Sequence, residues 1–200
     1  MKSPVWSLAI CLCFFAALVV PAQAEIVYTP VNISIPIGGV YNIDLNRDGV
    51  TDFVLRSKLL QGYCQFGDEY VWSLAVTPAN GSALVGAAGR IGSSFASALH
   101  NGVAVDSSQS FFPDFSLMAE LYWGPCGTGA MGEWLNLPDR YLGLQVPGAD
   151  GAVHYGWAKL STVAYVDHNG HLQTSTILSG FAYETVAGQG IVTGQLSDTL

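Results

Sequence analysis

Apolar and polar residues alternate with a period of two along most of this chain, and that pattern restricts it to β-structure. Residues 31–37 alternate cleanly before Gly38-Gly39 turns the chain into residues 40–45. Residues 53–56 begin a further strand, and residues 69–77 read as a buried one ended by Pro78-Ala79-Asn80-Gly81. Alternation of this kind places successive side chains on opposite faces of a sheet, whereas a helix would repeat its apolar positions every three to four residues. Two later hairpins carry strong turn chemistry. Residues 141–146 and 153–165 flank Pro147-Gly148-Ala149-Asp150-Gly151, and residues 163–166 and 172–184 flank Asp167-His168-Asn169-Gly170. Residues 81–117, rich in Gly, Ala and Ser, read as long loops with one or two short strands, and residues 114–119 suggest a helical turn. The 23 glycines and the close spacing of turn signals favour an antiparallel all-β fold, a single β-sandwich or jelly-roll.

The first 24 residues are expected to lie outside that fold. Lys2 is followed by an apolar run over residues 8–20, and Ala22-Gln23-Ala24 forms a small-x-small cleavage site. This is the pattern of a secretory signal peptide, and the run is shorter than the roughly 20 residues of a spanning helix. Cleavage leaves residues 25–200 as one secreted β domain with fifteen acidic and six basic residues, a formal charge of −9. Nucleic acid and anionic lipid both need clustered Lys and Arg, so neither is an expected partner. No later apolar stretch is long enough to span a bilayer, and the expected location is secreted, either extracellular or periplasmic. Cys11 and Cys13 leave with the signal. Cys64 and Cys126 remain, and an oxidising compartment makes a disulfide between them the first expectation, with two free thiols as the alternative.

One segment has chemistry that residue types and spacing can name: Asp44-Leu45-Asn46-Arg47-Asp48-Gly49-Val50-Thr51-Asp52. Calcium takes six to eight oxygen ligands, and compact loops supply them from alternate positions. Here the side chains of Asp44, Asn46 and Asp48, the carbonyl of Val50 and the side chain of Asp52 are the candidate ligands of a structural Ca2+. An EF-hand requires a bidentate Glu at the twelfth position, which is Leu55 in this chain, so the helix-loop-helix sensor is excluded. The competing reading is an Asx-rich turn that binds nothing, because Asp, Asn and Gly are also the commonest turn residues.

Other chemistry is weaker. His168 and His171 flank an Asn-Gly hairpin signal, and polar residues at a hairpin tip are ordinary. His100 and His154 have no partner visible in sequence. No G-x-S-x-G elbow is present, and Glu69, Glu120, Glu133 and Glu184 would serve a hydrolase only if the fold gathered them in a cleft. Trp72 and Trp157 sit in strand patterns and are expected in the core. Trp123 and Trp134 lie in loop-like contexts near Cys126 and are the candidate exposed ligand surface.

Two groups of motifs also bear on kinship. Residues 41–53 form one; Tyr141-Leu142-Gly143-Leu144, His154-Tyr155-Gly156-Trp157-Ala158-Lys159-Leu160 and Gly180-Phe181-Ala182-Tyr183-Glu184-Thr185 form the other. Together they resemble a group of uncharacterised bacterial secreted proteins, many of which carry a C-terminal PEP-CTERM sorting tail. The resemblance covers both ends of the mature chain and not its middle. It implies export, a β-rich fold and the acidic loop as a shared feature, and it carries over no activity. Residues 194–200 lack the Pro-Glu-Pro motif, apolar span and basic end of such a tail, so free residence outside the cytoplasm is expected. The resulting expectation is a non-catalytic envelope or extracellular β-protein with a structural calcium loop, its partners polysaccharide or envelope components. The alternatives are a carbohydrate-binding module and a secreted hydrolase with cleft carboxylates.

Overall fold

The computed structural model describes residues 24–89, 94–149 and 151–197; the expected signal segment falls outside them except for Ala24. Among the described residues there is no helix. The described residues form fourteen strands: β1 Ile26–Ser34, β2 Val40–Ile43, β3 Phe53–Cys64, β4 Gly67–Pro78, β5 Ala83–Ala88, β6 Ser94–Ala96, β7 Ala104–Val105, β8 Phe111–Phe112, β9 Ser116–Gly124, β10 Gly127–Met131, β11 Arg140–Pro147, β12 Val153–Val166, β13 Leu172–Glu184 and β14 Ile191–Val192.

Twelve of these strands make one curled, mixed sheet in the order β1-β13-β12-β11-β5-β6-β9-β4-β3-β2, with β8 added beside β5 and β10 beside β9. The result is a half-barrel, all-β and sandwich-like as expected. Its pairings are antiparallel apart from β6 with β9. Strand β5 joins the two halves: Leu84 pairs with Leu144 of β11, and Gly86 pairs with Ala96 of β6. The strands at the ends of this order, β1 and β2, are consecutive in the chain. In the turn between them, Ile35 N donates to Thr176 O of β13, and Gly38 N donates to Ser57 O of β3. One short turn therefore ties the two ends of the curled sheet together.

The concave face holds the main core. Leu142, Leu144, Ala158, Leu160 and Leu178 from one half meet Leu55, Trp72, Leu74, Met118 and Leu121 from the other. Each fully buried aliphatic side chain contributes about 1.5–3 kcal/mol relative to an exposed one, so this cluster is the principal reason for the curl. Some polar atoms that the core takes in find partners, whereas Trp157 Nε1 and Thr176 Oγ1 are buried without one. Trp72 Nε1 donates to Ser57 Oγ at 3.0 Å, and the Thr162 hydroxyl donates to Trp134 O. A second cluster forms on the opposite face of β11–β13. There Tyr141, Tyr155 and Trp157 are covered by Val105 and Ile191 of the small β7–β14 sheet. Trp72 and Trp157 are both core residues, as their strand patterns implied.

Two local expectations are corrected. Residues 114–119 form no helical turn; Ser116 opens β9, whose backbone pairs with β4 from Val76 back to Tyr70. The Gly/Ala/Ser-rich middle contains four short strands, β5 to β8, rather than one or two. In both places pairing with a distant strand overrides a weak local pattern.

Cys64 and Cys126 form a disulfide with Cα atoms 6.4 Å apart, linking the tip of the β3–β4 hairpin to that of β9–β10. Reducing it, or replacing both cysteines with serine, is expected to lower unfolding stability by about 2–4 kcal/mol. The fold should survive, because β4 and β9 remain paired up to Tyr70 and Trp123. Urea unfolding followed by circular dichroism, with and without reductant, checks this.

Candidate cation loop and the pocket beside it

The acidic segment is the connection between β2 and β3, and its own side chains hold its shape. Asp44 accepts the Asp48 N–H on Oδ1 at 3.1 Å and the Gly49 N–H on Oδ2 at 2.9 Å. Asn46 Oδ1 also receives the Asp48 N–H at 3.2 Å, and Asp48 Oδ1 receives the Val50 N–H at 2.8 Å. These are successive Asx turns, in which a short side chain replaces a backbone acceptor. Gly49 sits at φ +88°, a conformation a side chain would oppose. Arg47 is hydrogen-bonded outside the loop. Its guanidinium reaches across to β1, where Nε and Nη2 donate to Thr29 Oγ1 at 3.0 and 2.6 Å.

Asp52 turns inward instead of joining the rim. It is only 3 % exposed, and its Oδ2 accepts the Leu45 N–H at 2.7 Å. Burial raises its pKa above the ordinary carboxylate value, the nearby Asp48 and Asp44 charges add to that rise, and the backbone N–H groups of Leu45 and Asn46 oppose it. The Asp44, Asp48 and Asp52 carboxylates do not converge within 4.8 Å of one another; the acidic and sulfur group that does, among the described residues, is Cys64, Glu69 and Cys126. Those sulfurs are committed to the disulfide and offer no thiolate.

Leu45 anchors the loop to the other half of the sheet. It is buried, and a Cβ placed on Gly156 would come within 2.9 Å of Leu45 Cδ2 and 2.5 Å of Ala182 O. Glycine at position 156 therefore makes the seat for Leu45. The contact brings together the segments quoted above from opposite ends of the chain. Asn46 and Asp48 line a pocket of about 220 Å3 with His154, Tyr183, Thr185, Gly148 and Ala149. Within it, His154 Nδ1 lies 3.0 Å from Glu184 O. A carbonyl can only accept, so Nδ1 is the donor in this contact. The Tyr183 phenol is held above its ordinary pKa, chiefly by burial. Sequence reasoning treated His154 as a lone histidine and missed this pocket; its motif did single out His154 and Tyr183.

The other candidates are dispersed. Glu133 Oε2 accepts the Ala98 N–H, while Glu184, buried, accepts the Val186 N–H and Gln189 Nε2. Glu120 lies on β9 with its carboxyl pKa raised by burial. His168 and His171 are at the β12–β13 hairpin tip, where Asp167 accepts the N–H groups of Asn169 and His171. Trp134 is a correction: it is wholly buried and its indole N–H donates to Ala96 O at 3.0 Å, so it presents no ligand surface. Trp123 is half-buried and stacks on Tyr70 with ring centroids 5.5 Å apart. This pair lines a cleft of about 390 Å3 with Ile37, Leu59, His171 and Leu172. Comparison with protein-family models, curated proteins and solved structures gives no match.

The inward Asp52 gives a test of the loop without any cation. Asp52→Ala leaves the buried Leu45 N–H without its acceptor and is expected to cost about 1–3 kcal/mol, whereas Asp52→Asn retains an acceptor oxygen. A raised folded-state pKa means that the folded state binds the proton more tightly. The Asp52 contribution should therefore make stability fall as pH rises from near 3.8 through the raised folded value, and stay level above it. Asp52→Asn removes that component, which urea unfolding across the same pH range in EDTA would reveal.

Proposed function

We propose that this chain is a non-catalytic protein of the cell envelope or extracellular space, whose acidic loop is a structural calcium clip. The observation that carries the reading is the gathering of oxygen donors on one turn, where Asp44, Asn46 and Asp48 accept the Asp48, Gly49 and Val50 N–H groups. Asp44, Asp48 and Asp52 sit close enough for the first two to disfavour ionisation of the third, while the loop's only cation, Arg47, is engaged on Thr29. A hard cation on the loop would offset that repulsion, and the oxygen donors match its chemistry. The ligands would be Asp44, Asn46, Asp48 and the Val50 carbonyl, with Asp52 shaping the loop from inside. Once bound, the ion supplies positive charge and a fixed joint between β2 and β3. The Cys64–Cys126 disulfide supports residence in an oxidising compartment. No described helix is long and apolar enough to cross a membrane.

A second reading rests on a different observation. The stacked Tyr70–Trp123 pair, with His171 beside it, has the apolar platform and polar edge that suit a sugar ring, and it favours a carbohydrate-binding module. For the hydrolase the structure offers less support, since the cavities described here carry at most one carboxylate each.

Calorimetric titration of calcium into the purified chain is expected to show one saturable site, with a melting temperature that rises on saturation. Asp48→Ala, at an exposed position, should abolish the heat without unfolding the chain. Equal binding by both proteins, or no binding by either, would overturn the clip. For the second reading, retention on an insoluble polysaccharide column that Trp123→Ala loses is the supporting result; a glycan array without hits removes it.

A further inference from the structure

The β3–β4 hairpin extends past its neighbour and, among the described residues, leaves a bare strand edge. Strand β2 pairs with β3 only from Phe53 to Arg56, and the turn before it adds one more pair of bonds, Ser57 N to Gly39 O and Gly38 N to Ser57 O. Beyond Ser57, residues 58–63 are all exposed. The β3–β4 register runs without a bulge to Cys64 and Gly67. Because Ser57 directs its N–H and C=O away from β4, Leu59, Gln61 and Tyr63 must do the same. Three residues thus present six backbone hydrogen-bonding groups along an open edge.

Soluble proteins normally blunt such an edge with charges, proline or a covering loop. This one carries Lys58 alone and is flanked by apolar side chains: Leu60 is 58 % exposed, Tyr63 79 % and Phe66 69 %. The disulfide at Cys64 fixes the hairpin tip to β9–β10, so the edge is already ordered and little chain entropy opposes its pairing.

We infer that two copies of this chain associate edge to edge through β3, antiparallel about Gln61. That register places Gln61 opposite Gln61 and Leu59 opposite Tyr63 of the second copy, so all six outward groups on each strand find a partner. It also places Lys58 opposite Cys64 of the second copy. Glu69 has a carboxylate oxygen within 4.8 Å of the cysteine sulfurs, and it pairs with Gly62, on the same face as Lys58 and Cys64. Each Lys58 side chain, lying beside Cys64 of the second copy, is thereby directed toward the Glu69 carboxylate held next to that sulfur, and the two-fold axis repeats this charge complementarity. The hairpin tip of each copy, with Phe66, reaches the β1–β2 turn of the other, where Ile37 and Val40 are exposed. The two-fold axis closes the pairing at two copies.

Sedimentation velocity on the purified chain over a concentration series tests this. A concentration-dependent dimer is expected. Gln61→Pro should make it monomeric, since that N–H faces the open edge and is not used within one copy; far-UV circular dichroism checks that the fold is intact. Lys58→Glu should weaken dimerisation roughly tenfold by setting like charges across the strands, and Lys58→Glu with Glu69→Lys should restore it. This pair of variants decides the matter if the proline variant fails to fold. A chain that stays monomeric at every concentration overturns the inference, as does assembly beyond two copies. A dimer unaffected by Gln61→Pro and Lys58→Glu also overturns it.

Discussion

The structure depends on one sheet burying a single apolar cluster between its own two halves. A flat twelve-stranded sheet would leave Leu142, Leu160 and Leu178 on one side and Leu55, Trp72 and Leu74 on the other facing water. Curling brings them together. The bend is built into the backbone at three places where register shifts: Pro30–Ile33 of β1, Lys159–Leu160 of β12 and Leu74–Ala75 of β4. Such bulges increase local twist and let a sheet close on itself. The remaining gap, between the β1 and β2 ends, is crossed by a turn bonded to β13 and β3.

The acidic loop lies over that same gap. Arg47 is bonded to β1, Leu45 is seated against Gly156 of β12, and Asp52 holds the Leu45 N–H from within. Hydrophobic and hydrogen-bonding contacts therefore draw the loop inward, while the Asp44 and Asp48 charges oppose ionisation of the buried Asp52. A calcium ion would resolve this opposition at the rim and leave the inner contacts as they are. On this reading the loop is a joint between the two halves of the sheet, and the small pocket lined by His154 and Tyr183 exists because that joint meets the C-terminal strands.

How much of this was legible in the sequence follows from where the information resides. The hairpins around 147–151 and 167–170 were plain because alternation and turn chemistry coincide there. Strands β9 and β10 were not, because Trp123-Gly124-Pro125-Cys126-Gly127 reads as loop and its pairing partner, β4, lies some fifty residues away. Trp134 looked exposed because Glu133-Trp134 lies in a loop-like context near Cys126, yet Ala96 and Thr162 bond it from distant strands. Asp52 is the most instructive residue. Spacing marked it as a fourth oxygen around a cation, but spacing carries no direction, and in the fold its carboxylate points to Leu45. The meeting of the acidic loop with His154 and Tyr183 is likewise a product of topology, invisible to any local pattern.

The role of the loop as a joint can be read directly from amide hydrogen exchange at single-residue resolution, measured in EDTA and again in saturating calcium. A calcium-closed joint predicts that the Leu45 amide, bonded to Asp52, is protected in both conditions. It also predicts that the Asp48, Gly49 and Val50 amides slow markedly when calcium is added. Unchanged exchange across 44–52 on adding calcium, together with a Leu45 amide that exchanges as fast as an unfolded peptide, would contradict it.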